Sequence, residues 1–567
     1  MTNEIQKWAK NMVREFLPFY FLTFLLFISF SPAGAQTVPM DYSYCGYHRS
    51  EQPIPSAQVV TYVQPSGDDD AALLQAAIDY ISQQKPDKQT GLRGAILLGE
   101  GTFVLNSPLR IRTSGVVLRG SGREKTIIRK TGYDRGALLY IEGTHDIIAK
   151  DTFTISNAAP GSLCLTAQAA SNVQTASSVQ AASKVQAASS VQGGFAALKA
   201  GSRLAICRPS TEEWIAALGC ASFGGGKRMG YWAWHPGDID VTWHRTVTAA
   251  NGNQLTLDAP ITCSIERRWG GAKAIVYEQP GLISECGIEN LTLESDYDHA
   301  LPMDESHCWD GIYLADAEDC WVRMVNFRHF AGSAVVVQKS AQQVTVEDCQ
   351  SLQPISEIGG FRRRTFLTLG EKVLFQRCYS EHGINDFAVG QTAAGPNAFV
   401  QCESYESLGP SGAIASWAPG ILFDIVNIDG NDICFKNWEL EKFGAGWSTA
   451  NSTLWQSTAS GLFCYSPDTL NRNYSIGCWG QIQGNGEYAE MNEHVRPYSL
   501  FADQLEKRLG RDVSQQCRIL ERSTNASSSP TIEEAQLMAI EALKPRTTLQ
   551  QWIDSAVFTG DVSLRDS

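Results

Sequence analysis

Arg362, Arg363 and Arg364 stand side by side in a chain whose formal net charge is −14. A guanidinium fork matches a carboxylate or sulfate in shape as well as in charge. Arg362 and Arg364 are therefore candidate clamps for an anionic ligand, with Arg363 the foremost of the three, and Glu357 lies in the same segment. Further along, Glu381-His382 and Asn385-Asp386 bring an imidazole and carboxylates close in sequence. His382 is a candidate general base or acid, Asp386 its acidic companion and Asn385 a binding residue. Arg328-His329 supplies a second imidazole, so His329 joins the catalytic candidates. Asp304, Glu305 and Asp310, with His307 among them, offer the hard oxygens that Ca²⁺ takes, although without an ordered loop spacing. Glu403 and Glu406 form a further acid pair. Trp417 and Trp447 could stack on sugar rings, whereas Trp455 reads as core. Each of these also has a structural reading: a solvated charge run, a hydrogen-bonded turn histidine, a polar loop, or aromatic packing.

These residues sit in a chain of 567 residues that is 43% apolar and 19% charged. That composition supplies a large core and argues against disorder. The acidic balance argues against nucleic acid as a partner. Lys7, Lys10 and Arg14 precede an apolar run from Phe16 to Phe30, and Ala33-Gly34-Ala35 then fits a cleavage site before Gln36. Residues 1–35 read as an export signal, because the run is short for a membrane span and holds Pro18. The mature protein is expected in the periplasm or outside the cell, without stable membrane insertion and as a monomer.

Residues 36–65 read as an extended lead-in. From Asp68 an amphipathic helix follows, with Leu74, Ile78 and Ile81 on one face and three aspartates at its positive end. The period then changes to short strand-like runs punctuated by Gly, Pro and Ser, and these continue to about residue 480. Within them, residues 164–194 repeat Val-Gln with Ala and Ser and little else to bury, which reads as a low-complexity insertion. Beyond residue 485 the β pattern gives way to helical segments, including Thr531-x-x-Glu534 as a capping box.

An apolar residue recurs three before a second core-like one. Ile283/Cys286, Ala317/Cys320, Val346/Cys349, Phe375/Cys378, Phe399/Cys402, Phe423/Val426 and Trp455/Thr458 form one expected column. Repeats of this length made of short strands imply a solenoid. The expected fold is all-β: a right-handed parallel β-helix over 66–485, with an N-terminal capping helix and a small C-terminal extension, 486–567. Strand alternation turns i and i+2 to one face, so an inward i and i+3 need a corner between them, at Glu347-Asp348 or Gln376-Arg377. Stacked cysteines lie too far apart for a disulfide, so Cys286, Cys320, Cys349, Cys378 and Cys402 read as buried free thiols. No C-x-x-C pair supports zinc.

Several stretches carry a family likeness. Gly67-Asp-Asp-Asp-Ala-Ala-Leu-Leu-Gln-Ala-Ala-Ile, Gly99-Glu-Gly-Thr-Phe-Val-Leu and Gly115-Val-Val-Leu-Arg-Gly-Ser-Gly resemble the cap and first rungs of the pectate-lyase superfamily. Trp309-Asp-Gly-Ile, Phe327-Arg-His-Phe-Ala-Gly-Ser-Ala-Val, Ser356-Glu-Ile-Gly-Gly-Phe-Arg-Arg, Cys378-Tyr-Ser-Glu-His-Gly, Gly395-Pro-Asn-Ala-Phe, Gly444-Ala-Gly-Trp and Gly477-Cys-Trp-Gly resemble an uncharacterised subgroup of it. The resemblance implies a secreted polysaccharide-active protein, most simply a lyase acting on a uronic-acid glycan by β-elimination. It also implies an Arg or Lys base, here Arg363, and acidic residues for Ca²⁺, here Asp304, Glu305 and Asp310. The subgroup carries a histidine where this chain has Asn385, which cannot serve as a base. A glycoside hydrolase on the same scaffold, or a glycan-binding protein without turnover, are the alternatives.

Overall fold

The computed structural model describes residues 40–169, 198–224, 232–520, 530–560 and 562. The export segment and residues 170–194 of the low-complexity stretch lie outside the described residues. A single 29-stranded sheet coils through three faces with parallel pairing between rungs, so the fold is a parallel β-helix. The first face includes Gly94–Leu98, Gln342–Glu347, Val373–Gln376, Asn397–Val400 and Ile421–Asp424. The second includes Thr126–Lys130, Gln350–Leu352, Tyr379–Glu381 and Glu403–Tyr405. The third includes Asp310–Ala315, Val335–Val337, Phe366–Thr368 and Phe387–Val389. Helix α1 (Ala71–Ser82) buries Leu74, Ile78 and Ile81 against the first rungs and covers their open end.

The inward column of the first face runs Ile96, Leu118, Ile288, Val322, Val346, Phe375, Phe399, Phe423, Leu454. All nine side chains are fully buried. Phe375 and Phe399 stack with ring centroids 4.8 Å apart and planes within 5°. This register corrects the expected column at three rungs. Val322/Val325, Ile288/Leu291 and Leu454/Ser457 replace Ala317/Cys320, Ile283/Cys286 and Trp455/Thr458. The long strands Gly287–Ser295 and Ala317–Arg328 bend across the corner and serve two faces each, so Ala317–Arg328 contains two pairs at the same spacing.

The corner itself fixes the register. Asn290, Met324, Asp348, Arg377, Gln401, Ile425, Gln456 and Gly477 all have φ between 46° and 64° there. A second left-handed column, Glu285, Asp319, Gln343 and Lys372, turns the corner that leads into the first face, and this is where Cys286 and Cys320 stack. All fifteen cysteines are free thiols, and the five of the expected column are buried.

Between the rungs, six strands from Ile148 to Glu278 leave the solenoid. Ile148–Ile155, Cys164–Ala169, Arg203–Arg208, Val241–Asn251, Gln254–Leu257 and Ala272–Glu278 close a six-stranded antiparallel barrel. Its interior holds Trp243, Leu204, Ile206 and Leu255, with α2 (Glu212–Ala217) packing Trp214 beside them. The span 66–485 is thus solenoid with an inserted barrel, and the expected insertion begins inside a barrel strand. Alternating burial in Arg203–Arg208 is what a half-buried strand of either architecture would show.

Both terminal segments run lengthwise along the solenoid. The lead-in starts where Tyr42 Oη meets Asn451 O (3.0 Å) and passes Lys372, whose carbonyl accepts from Gly46 N (2.8 Å). It reaches Arg119, which donates to Ala57 O (2.9 Å). The C-terminal segment returns in the same direction through α3 (Leu500–Leu509), α4 (Ile532–Ala542) and α5 (Leu549–Ser555). The α3 N-terminus docks on buried Asp424, whose Oδ2 accepts from Ser499 Oγ (2.6 Å) and Phe501 N (2.8 Å). Among the described residues no helix is long and apolar enough to cross a membrane.

Replacing Phe399 by Ala should cost about 3–5 kcal/mol, because stacked neighbours on both sides cannot collapse into the gap; chemical denaturation of the variant checks it. Burial pushes the Asp424 carboxyl up to about 7, and its Oδ1 has no partner. The folded chain therefore binds more protons than the unfolded one between pH ~4 and ~7, and this contribution to stability falls as pH rises through that window. Thermal melts across the window should show Asp424→Asn flattening the slope.

Candidate functional site

A third left-handed column turns the corner between the second and third faces: His329 (φ 67°), Gln353 (51°), His382 (54°), Glu406 (48°) and Gly430 (87°). The pairing of Arg328 with Leu352, Ser351 with Ser380, and Glu381 with Tyr405 puts these residues on successive rungs. At ~4.8 Å per rung, the backbones of His329 and His382 are about 10 Å apart on one line. Each left-handed residue aims its side chain off the corner.

The other two columns are clasped by the terminal segments. Tyr47 Oη donates to Glu285 (2.6 Å), His48 N donates to Asp319 (2.9 Å), and the Glu285 carboxylate lies 2.7 Å from His48 Nε2. Arg377 donates to Arg518 O (3.0 Å), Gln401 to Leu520 O (2.7 Å) and Gln456 to Tyr498 O (2.6 Å). Among the described residues, neither terminal segment hydrogen-bonds a side chain of the His329–Glu406 column.

Beside that column lies a hollow of ≈ 420 Å³ lined by Glu294, Arg328, His329, Leu352, Gln353, Glu381 and Gln550. Burial holds the His329 imidazole below the usual histidine range, partly opposed by the Glu294 charge. Tyr297 packs edge-on against His329, with ring centroids 5.1 Å apart. His382 Nε2 lies 2.9 Å from Glu406 Oε2. That hydrogen bond holds the Glu406 carboxyl below its ordinary value. Glu381 accepts from Gln353 N (2.9 Å). Asp310, at the start of the third face, accepts from Ser333 N (2.8 Å), and burial pushes its carboxyl up to about 6.

Arg363 lies close to His382 and Asp386 but is not a solvent-facing base. It is buried, and its guanidinium donates to Ser356 Oγ (2.8 Å), Ser356 O (2.8 Å) and His382 O (3.2 Å). It holds the backbone that presents His382. Asp386 is fully buried and accepts from Ser380 Oγ (2.5 Å) and Ser407 Oγ (2.6 Å), so it fixes the same turn rather than meeting a ligand. Asn385 is buried and donates to Pro410 O (2.6 Å).

Arg362 is bound on both sides of its fork by Glu305, and its guanidinium lies over the Trp309 ring, 5.8 Å from the centroid. The buried His307 ring lies 2.8 Å from Ser295 Oγ and 3.1 Å from Ile355 O, tying the same two loops. Glu357 is exposed, and its amide faces Glu305 (3.3 Å). Trp417 is fully buried against Trp214 and Trp234 at the barrel, and Trp447 donates to Leu218 O (3.2 Å) in the same cluster. Both are seams between barrel and solenoid, not sugar platforms. Trp455, outside the inward column, donates to Pro497 O (3.1 Å).

The Ca²⁺ expectation does not fit its residues. Glu305 is committed to Arg362, and Asp304 accepts from Asp298 N (3.0 Å) and Ser306 N (2.9 Å). Their oxygens and that of Asp310 do not gather. Among the described residues, one group brings imidazole and carboxylate donors within 4.8 Å, namely His48, Glu285 and Asp319, and it is the clasp described above.

Sequence reading missed Glu294 and Gln353. The signal was present: His329, Gln353, His382 and Glu406 each follow Val325, Cys349, Cys378 and Cys402 by four residues.

The site thus belongs to a parallel β-helix, in a polar hollow beside a corner whose side chains neither terminal segment hydrogen-bonds among the described residues. A family model described as a domain of unknown function (DUF6298) matches residues 486–567, the C-terminal segment. No curated protein matches the sequence. Among solved structures, the chain is similar to ORF18 of Geobacillus virus E2 (12% identity, TM-score 0.33), covering 76% of this chain and 59% of that one. The tailspike protein gp49 from Pseudomonas phage LKA1 gives 12% identity and TM-score 0.31, over 74% and 70%. A polygalacturonase from Erwinia carotovora ssp. carotovora gives 8% and 0.36, over 79% and 98%. Likeness at this level concerns the fold.

Arg363→Met should lower stability by about 3 kcal/mol, since three buried acceptors lose a charged donor. Calorimetric melting of the variant, with proteolysis at 356–364 as a local readout, checks that this loss is structural.

Proposed function

We propose that this chain is a carbohydrate-active enzyme that cleaves an anionic, uronate-containing glycan by β-elimination at the open corner. The observation that carries this reading is the column itself: a corner whose side chains, among the described residues, are not hydrogen-bonded by either terminal segment presents His329 and His382 on one line, with His329 lining a polar hollow. Neutral His329 takes the proton from C5 of the uronate. The released electron pair forms the C4–C5 double bond, and the C4–O4 bond breaks. His382, oriented by Glu406, gives its proton to the leaving oxygen. Arg328, in the same hollow, balances the uronate carboxylate as negative charge develops. No step is routed through a metal.

A second reading is a glycoside hydrolase, favoured by Glu294 and Glu381, which both line the hollow and supply the paired carboxylates hydrolysis needs. Export to the periplasm or beyond rests on residues 1–35 alone, and a polysaccharide partner and monomeric state follow the same reading.

The test is incubation with a panel of uronic-acid polysaccharides, with and without Ca²⁺. The expected result is the ultraviolet absorbance of an unsaturated product, reduced about 10²–10⁴-fold in His329→Ala and in His382→Ala. Glu406→Gln should lower kcat about tenfold, as an oriented charge-assisted bond is lost. Because His329 must be neutral and burial holds it below the usual histidine range, the acid-side decline of kcat/KM should come at a lower pH than for an ordinary histidine. New reducing ends without unsaturation would select the hydrolase, and absence of any product would overturn both.

A further inference from the structure

A second cluster lies on the loops at 356–364 and 436–447. Arg364 lies over the Phe361 ring, 4.5 Å from the centroid, and its Nε is buried without a hydrogen-bond partner. Lys442 Nζ sits 3.8 Å from the centroid of Trp438, and Lys436 Nζ sits 4.1 Å from the same ring. Lys436 has an acid beside it, Glu441 at 3.4 Å. Arg364 and Lys442 have no ion-pair partner among the described residues. Burial drives the Lys442 ammonium down to about 8; the nearby Arg364 and Lys436 charges push the same way, and Cys434 and Glu441 oppose them.

Two unpaired cations side by side are costly in a chain with 60 acidic and 46 basic residues, where partners are plentiful. Next to them, Phe361 and Phe443 stack with planes within 14° and are 59% and 70% exposed. Lys442 and Phe443 are both held in left-handed backbone (φ 53° and 66°), a strained turn that projects them from the loop. Exposed paired aromatics beside unpaired cations match one ligand class: a ring with an apolar face and an anionic substituent.

We infer that Arg364, Lys442 and the Phe361–Phe443 pair form a second saccharide site, which binds the carboxylate or sulfate of an acidic sugar and stacks its ring. The ligand class rests on the glycan reading above, but the site is tested by binding without turnover. The probes are hexamers of galacturonate and mannuronate, a sulfated galactose hexamer, and the galacturonate hexamer with its carboxyls methyl-esterified. Calorimetric titration uses the His382→Ala protein so that the probes stay intact.

The expected result is binding of at least one acidic hexamer about tenfold or more tighter than the esterified one. Arg364→Met, Lys442→Gln and Phe443→Ala should each weaken it by a similar factor, and Lys442→Arg should retain it. Which acidic hexamer binds separates carboxylate from sulfate. Equal affinity for acidic and esterified hexamers, or Kd unchanged in Arg364→Met and Lys442→Gln proteins of native melting temperature, overturns the inference. Neither outcome bears on turnover at the open corner, which the histidine variants decide separately.

Discussion

The stacked corners of the central rungs are turned by residues in left-handed backbone, and most of these residues are not glycine. Such a conformation costs a non-glycine residue on the order of 1 kcal/mol or more. It persists because the inward residue before it and the inward residue after it are both buried in stacked columns. Phe375, Phe399 and Phe423 stack on one side of the first corner, and Cys349, Cys378 and Cys402 follow it. Shifting one rung by a single residue would turn an entire inward row outward. The corner conformation and the column are thus one constraint, and the rest of the molecule hangs on it.

A left-handed residue cannot point inward, so each corner becomes a line of outward side chains one rung apart. Two of the three lines are used for holding the molecule together. Glu285, Asp319 and Gln343 receive the lead-in, and Arg377, Gln401 and Gln456 receive the C-terminal segment. The third line is His329, Gln353, His382 and Glu406. The C-terminal helix reaches its edge, where Leu549 packs with Leu352 and Tyr379 and Gln550 lines the hollow, but among the described residues it makes no hydrogen bond to a side chain of this line. Arg363 and Asp386 support this line from within, by pinning the carbonyl and the turn on either side of the His382 imidazole.

Local pattern and long-range cover were legible to different degrees. The capping helix was readable because Leu74, Ile78 and Ile81 follow a helical period on their own. The thiols were readable because stacked positions dictate their separation. The register at residues 317–328 was not, because Ala317/Cys320 and Val322/Val325 have the same spacing and only the backbone at Asp319 and Met324 tells one corner from the other. That slip hid the fact that His329 and His382 occupy equivalent positions. Arg363, Trp417 and Asp386 were misread for another reason. A charge or an indole announces nothing about what lies over it, and their covers come from Ser356, the inserted barrel and Ser407.

The rungs of a solenoid touch only their neighbours, so distant rungs are tied solely by what runs lengthwise. Here the outward row of the first face alternates Arg119, Glu289, Arg323 and Glu347. The Arg119–Glu289 pair is wholly buried, and Phe558 lies over both Arg119 and Arg323, 5.2 and 5.1 Å from their guanidinium carbons. A buried ion pair adds little net stability over apolar packing, but breaking one partner free is expensive. The row is therefore better understood as a register lock than as a source of stability. It pairs only when each rung stacks correctly, and Phe558 of the C-terminal segment lies over the paired row. The same rung spacing fixes the open corner, where the backbones of His329 and His382 stand two rungs, about 10 Å, apart.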